Sequence, residues 1–189
     1  MTRDRHNNTV IGKKHEPIVK KIFKRIFCRK QKNSTRNASV HKVNKKLRAV
    51  LENSNFQLLD DKSIKLPVNN SNLNIVGIRD LWTNTTNLDK AFELYDKKFP
   101  GIILCHNPEV IFSLENRPGD IIFSGHTHGG QVNLPFLWKK FIPVKDKTLK
   151  KGLINIYKKK LFINKGVGSH IPFRWFCLPE IALITLKGK

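Results

Sequence analysis

The sequence predicts a layered α/β domain from about residue 45 to the C-terminus. Three observations carry this. Gly101–Cys105 is a continuous apolar run, and residues 120–123 are nearly so, as expected of strands buried on both faces of a parallel sheet. Helical patterns alternate with strand patterns around them. Both runs end in histidine-bearing loops, and ligand sites in open α/β sheets lie at the carboxyl ends of strands.

The elements follow in order. Residues 45–54 form a helix with Leu47, Val50 and Leu51 on one face, ended by Asn53-Ser54-Asn55. Short strands are predicted at 56–59, 63–68 and 73–78, separated by Asp-Asp and Asn-Asn turns. Asn87 can cap a helix over 88–97, with Leu88, Phe92 and Tyr95 inward. A short helix over 109–114 follows Pro108. Residues 152–157, 161–164 and 181–186 are strand-like, with a Gly166-Val167-Gly168 turn between the last two.

The chain has 189 residues, 39% of them hydrophobic, which suits one globular domain. No run of 18 apolar residues offers a membrane span, and the charged N-terminus lacks the apolar stretch of a secretory signal. Cys28, Cys105 and Cys177 are odd in number and form no CxxC, which points to reduced thiols in the cytoplasm. Cys105 and Cys177 read as small buried hydrophobes.

Thirty-six basic and fourteen acidic side chains give a net charge of +22. Residues 1–50 hold sixteen basic and two acidic groups, +14 of that total, leaving +8 for the rest. Residues 1–44 read as a basic, largely disordered segment with one exception. Over 17–28, Ile18, Ile22 and Ile26 align on a helix beside Val19, Phe23 and Phe27, opposite Lys20, Lys21, Lys24 and Arg25. Such a helix suits an anionic membrane surface, its own domain's core or nucleic acid. No nucleic-acid-binding signature accompanies the charge, so nucleic acid is the least supported partner. The expected location is the cytoplasm, with peripheral attachment at the inner membrane face under the first reading.

The chemistry-bearing residues are His106-Asn107-Pro108 after the first buried run and Gly125-His126-Thr127-His128-Gly129-Gly130 after the second. In an extended loop, His126 and His128 would point to opposite sides, one toward each of two adjacent metals. Imidazole suits Zn, Fe, Mn and related ions. His170 lines the site or sits in a turn.

In order and spacing, Gly77-Ile78-Arg79-Asp80-Leu81-Trp82-Thr83, Leu104-Cys105-His106-Asn107-Pro108-Glu109-Val110, Ser124 through Gln131, Gly166-Val167-Gly168, Ile171-Pro172-Phe173-Arg174 and Pro179-Glu180-Ile181 resemble the bacterial calcineurin-like metallophosphoesterases related to lipid A-pathway pyrophosphatases. The resemblance covers about three quarters of the chain. It implies a four-layer αββα sandwich, incomplete at the N-terminal half, and two-metal hydrolysis of a phosphomonoester, phosphodiester or pyrophosphate, with a lipid as one candidate carrier. It implies Mn, Fe, Zn or Mg: His106 and His126 on one ion and His128 on the other, with fewer ions here than in the intact family. Asn107 and Arg174 are implied at the phosphate pocket, Arg174 having a structural ion pair as its alternative role. If Arg36-Asn37-Ala38-Ser39 descends from the family's Gly-Asn-His-Asp, Asn37 is a ligand and Ala38 replaces a catalytic histidine; an ordinary polar loop is the alternative reading. The Asp-x-His and Gly-Asp motifs are not found, so impaired catalysis is expected; a non-catalytic metal- or phosphate-binding remnant at an anionic membrane surface is the alternative.

Overall fold

The computed structural model describes residues 45–136, 139, 142–169 and 173–187. All lie in one compact unit, Val40–Lys189. Asn37, His170 and the amphipathic stretch at 17–28 fall outside the described residues.

Helix α1 (Lys45–Glu52) precedes a hairpin of β1 (Lys62–Val68) and β2 (Ser71–Ile78). The Asp80–Asn87 loop leads to α2 (Leu88–Phe92), capped by the Asn87 side chain, which accepts from Lys90 N–H at 3.0 Å. Strand β3 (Gly101–Cys105) then runs into a 3₁₀ helix, Pro108–Ser113. Strand β4 (Ile121–Ser124) feeds the 126–130 loop, and β5 (Gly152–Ile156) and β6 (Lys159–Ile163) close the sheet as a second hairpin. That hairpin turns on Tyr157 and Lys158, both at positive φ, as a two-residue turn between twisted strands demands.

The sheet is mixed, in the order β1-β2-β3-β4-β6-β5. Its four central strands are parallel and its two edges antiparallel. The α/β class is therefore as the sequence predicts, and every parallel strand delivers its carboxyl end to the same side of the sheet. Val76, Ile103, Ile122 and Leu161, each fully buried, centre one face. Phe92 of α2, Val110 and Ile111 of the 3₁₀ helix, and Ile142 and Leu149 of the following loop cover it.

The other face is less completely covered by the described residues. Gly77, Leu104, Phe123, Phe162 and Leu153 form one cross-strand row, and Ile75, Ile102 and Ile121 another. Leu104 is 42% exposed and Leu153 58%. The expected burial of β3 and β4 on both faces thus holds for one face only. A second sheet of the implied sandwich is not found among the described residues.

Other expectations need correction. Residues 56–59 form no strand; Leu59 instead packs on Gly77, where an added Cβ would lie 2.3 Å from Leu59 Cβ. Residues 181–186 also form no strand: none of the described strands pairs with them, and Ile181 and Leu183 are almost fully exposed. The helix expected over 88–97 ends at Phe92, and the one after Pro108 is 3₁₀ rather than α. On the predicted α1 stripe, Leu47 and Val50 are exposed and Leu51 is partly buried.

Candidate metal centre

His106 is the first residue beyond β3, and His126 lies two residues beyond the adjacent β4. Parallel pairing puts both at one end of the sheet. The loops are pinned together: Gly125 N–H donates to His106 O at 3.1 Å, and Asn164 N–H donates to Ser124 O at 2.9 Å. Thr127 is buried and locks the turn, its hydroxyl donating to Lys150 O at 2.7 Å and accepting from Gly129 N–H at 3.2 Å.

The loop is not extended. His126 (φ 65°) and His128 (φ 49°) both adopt left-handed backbone, as do Gly129 and Gly130. Holding two non-glycine residues there costs about 1–3 kcal/mol each, a cost typical of functional loops. The two imidazoles nevertheless diverge. His126 Nδ1 faces His106 Nε2 at 3.2 Å, with ring centroids 5.0 Å apart. His128 turns away, its Nδ1 3.1 Å from Gly168 O. A carbonyl only accepts, so in the neutral ring Nδ1 carries the proton and Nε2 the lone pair.

Burial holds the His126 imidazolium below its usual range, and His106 lowers it further. The ring is therefore neutral at pH 7, the form that ligates metals. Its Nε2 is buried and finds no hydrogen-bond partner among the described residues. Trp82, on the 3₁₀ turn after β2 (Leu81–Thr83), stands edge-to-face against His126 with centroids 4.5 Å apart.

These donors fit a divalent ion in part. Two imidazole nitrogens bound to one ion at 2.0–2.1 Å in tetrahedral geometry lie roughly 3.3 Å apart, close to the separation seen here. Two nitrogens do not complete a coordination shell. Among the described residues no group of three or more histidine, cysteine, aspartate or glutamate side chains is gathered closely enough to hold an ion.

The carboxylates nearby serve the scaffold. Asp60 forms a two-pronged ion pair with Arg79, at 2.6 and 2.7 Å. Asp61, 1% exposed, accepts from Arg79 N–H and Asn87 N–H. Asp80 caps the turn that bears Trp82, accepting from Trp82 N–H at 2.9 Å.

Asn107 and Arg174 both make contacts within the scaffold, while Asn107 Nδ2 and Arg174 Nε find no partner among the described residues. Asn107 is buried, with Oδ1 accepting from Leu81 N–H at 3.1 Å. Arg174 donates to the carbonyls of His128, Lys165, Gly166, Gly168 and Cys177. These contacts take up both terminal nitrogens of its guanidinium, and its partners are carbonyls rather than the carboxylate of an ion pair. Trp82 was not singled out as a site residue from the sequence. The signal was present: it follows the strand beside β3, so its loop had to open at the same end of the sheet.

Comparison with known proteins bears on this arrangement. The chain is 32% identical over 199 residues to the UDP-2,3-diacylglucosamine pyrophosphatase LpxG of Chlamydia muridarum, covering 97% of this chain and 59% of that protein. It is equally similar to LpxG of Chlamydia trachomatis. The phosphodiesterase YaeI of Escherichia coli is 30% identical over 136 residues, 72% of this chain and 49% of YaeI. The chain is also 29% identical over 119 residues to the metallophosphoesterase YkuE of Bacillus subtilis, 62% of this chain and 42% of that protein, so the similarity is to bacterial phosphoesterases. It spans about half to three fifths of the length of the LpxG proteins and YaeI. No family model and no solved structure matches. No helix among the described residues is long and apolar enough to cross a membrane.

Proposed function

We propose that this chain is a metal-dependent phosphoester hydrolase by descent, with His106 and His126 as the ligands of one divalent ion and His128 as a ligand of a second. The observation that carries the reading is the 3.2 Å approach of His126 Nδ1 to His106 Nε2, from loops at the ends of adjacent parallel strands. Similarity to metallophosphoesterases supports the hydrolase class. An ion there would supply Lewis acidity toward a phosphoryl oxygen and an attacking water.

The chain's own residues do the rest. The 125–130 turn fixes the direction of each imidazole, and burial keeps His126 neutral. The depression beside His106, lined by Leu104, Phe123 and Gly125, opens on the apolar sheet face and would admit the uncharged part of a substrate. LpxG is named for a pyrophosphate linkage on a diacylated sugar nucleotide, so a phosphate ester or anhydride carried by a lipid is the proposed substrate class.

Hydrolysis by this chain is proposed to be feeble. A divalent pair needs anionic ligands to offset its charge, and the gathered donors are neutral imidazoles. The second reading, a metal- or phosphate-binding protein without turnover at an anionic membrane surface, draws on that same shortage and on the basic N-terminal fifty residues.

The purified chain should be assayed with Mn²⁺ and a chromogenic phosphodiester. Turnover that His126→Ala abolishes supports the hydrolase. Mn²⁺ binding that His126→Ala weakens, without turnover, supports the second reading. Binding unchanged in His126→Ala overturns both. Preferential binding of the chain to anionic over neutral liposomes would support the membrane surface as partner.

A further inference from the structure

We infer that Trp82 is a positioning residue for the metal-binding imidazole of His126, a role that rests on the reading of His106 and His126 as ligands. Its indole lies 4.5 Å from the His126 ring centroid at an interplanar angle of 84°, an edge-to-face contact. Such a pair has a preferred direction. That direction matters at His126 because the histidine has few other constraints. Its Nε2 makes no hydrogen bond among the described residues, and its Nδ1 meets only His106 Nε2. Metal-ligating histidines are ordinarily oriented by a hydrogen bond to the second ring nitrogen. Here an aromatic wall takes that part.

The wall is itself anchored. Asp80 accepts from Trp82 N–H, and Thr83 Oγ1 donates to Asp80 O at 2.7 Å. Buried Asn107, next in sequence to His106, accepts from Leu81 N–H. The loops after β2, β3 and β4 are thereby joined around one ring. Trp82 is 59% exposed, so these contacts rather than full burial hold the indole.

The test uses the full chain and Co²⁺. With Trp138 and Trp175 both changed to Phe, Trp82 is the remaining tryptophan, and Co²⁺ should quench its emission saturably. His126→Ala in that background should abolish the quenching. In the otherwise native chain, Trp82→Ala should weaken Co²⁺ binding, measured by calorimetry, about three- to tenfold, and Trp82→Phe should restore most of that loss. A general loss of stability would not be rescued so selectively, and urea midpoints of both variants check it. Trp82→Ala binding Co²⁺ like the native chain, or Trp82→Phe binding as weakly as Trp82→Ala, overturns the positioning role while His126→Ala still loses the ion. Unchanged Co²⁺ binding in His126→Ala overturns the metal reading itself.

Discussion

The buried side chain of Asn107 holds the backbone of Leu81, with Oδ1 accepting the Leu81 N–H at 3.1 Å across the gap between the β3 and β2 loops. An asparagine beside a metal-site histidine invites a role in phosphate binding. Its burial and its Leu81 partner support a structural role, which a stability measurement separates from phosphate binding. Asn107→Ala leaves an amide without its acceptor and should cost about 1–3 kcal/mol in urea unfolding. It should also shift Trp82 emission, because the indole rides on the released turn. Phosphate affinity should change only as far as the site loosens.

Arg174 carries the same logic further. Its terminal nitrogens reach carbonyls of five residues, tying the 128, 165–168 and 177 backbones together behind His128. A lysine ammonium offers one centre and cannot span them. Arg174→Lys should therefore lose on the order of 3 kcal/mol of stability, several charge-assisted bonds being replaced by one or two. Inorganic phosphate binding, measured on folded protein, should be unchanged. A phosphate-specific loss with native stability would restore Arg174 to the pocket.

Much of this arrangement was legible in the sequence. Apolar runs at Gly101–Cys105 and 120–123 locate β3 and β4, and parallel pairing then brings His106 to His126 without further information. What the sequence hid follows from tertiary context. Local pattern cannot say whether a sheet face is covered, so Leu104 reads as core and stands half in water. The apolar run at 181–186 looks like a strand, but a strand exists only if a neighbour bonds to it. Asn107 and Arg174 look like ligand residues because their type suits phosphate. Their partners, a backbone amide and a set of carbonyls, come from loops distant in sequence.

His126 also sets a pH dependence. Burial and then His106 depress its folded-state value below the ordinary 6.5. Between the two values the unfolded chain binds the proton and the folded chain does not. Stability from this group is therefore fully present above about pH 6.5 and falls on acidification toward the depressed value. Urea midpoints from pH 7.5 to 5 should decline in the native chain and decline less steeply in His126→Asn. Saturating Mn²⁺ should steepen the native decline, since a bound ion also demands the neutral ring.

Two glycines of the histidine loop should respond oppositely to the same change. At Gly125 an added methyl group meets nothing nearer than 4.0 Å, and the backbone is not left-handed. Gly125→Ala should stay within about 0.5 kcal/mol of the native chain. At Gly129 φ is +63°, and an added Cβ would lie 2.6 Å from Lys165 Cγ and 2.7 Å from Cys177 Sγ. Lysine can yield; the Cys177 thiol, buried against the His128 and Gly129 carbonyls, has less room. Gly129→Ala should therefore cost about 1–3 kcal/mol through strain and overpacking together. Because Gly129 follows His128 directly, the cost should appear as a shifted His128 imidazole resonance in NMR spectra, with the His106 and His126 signals moving less. Equal shifts at all three histidines would mean that the turn moves as one body rather than hinging at Gly129.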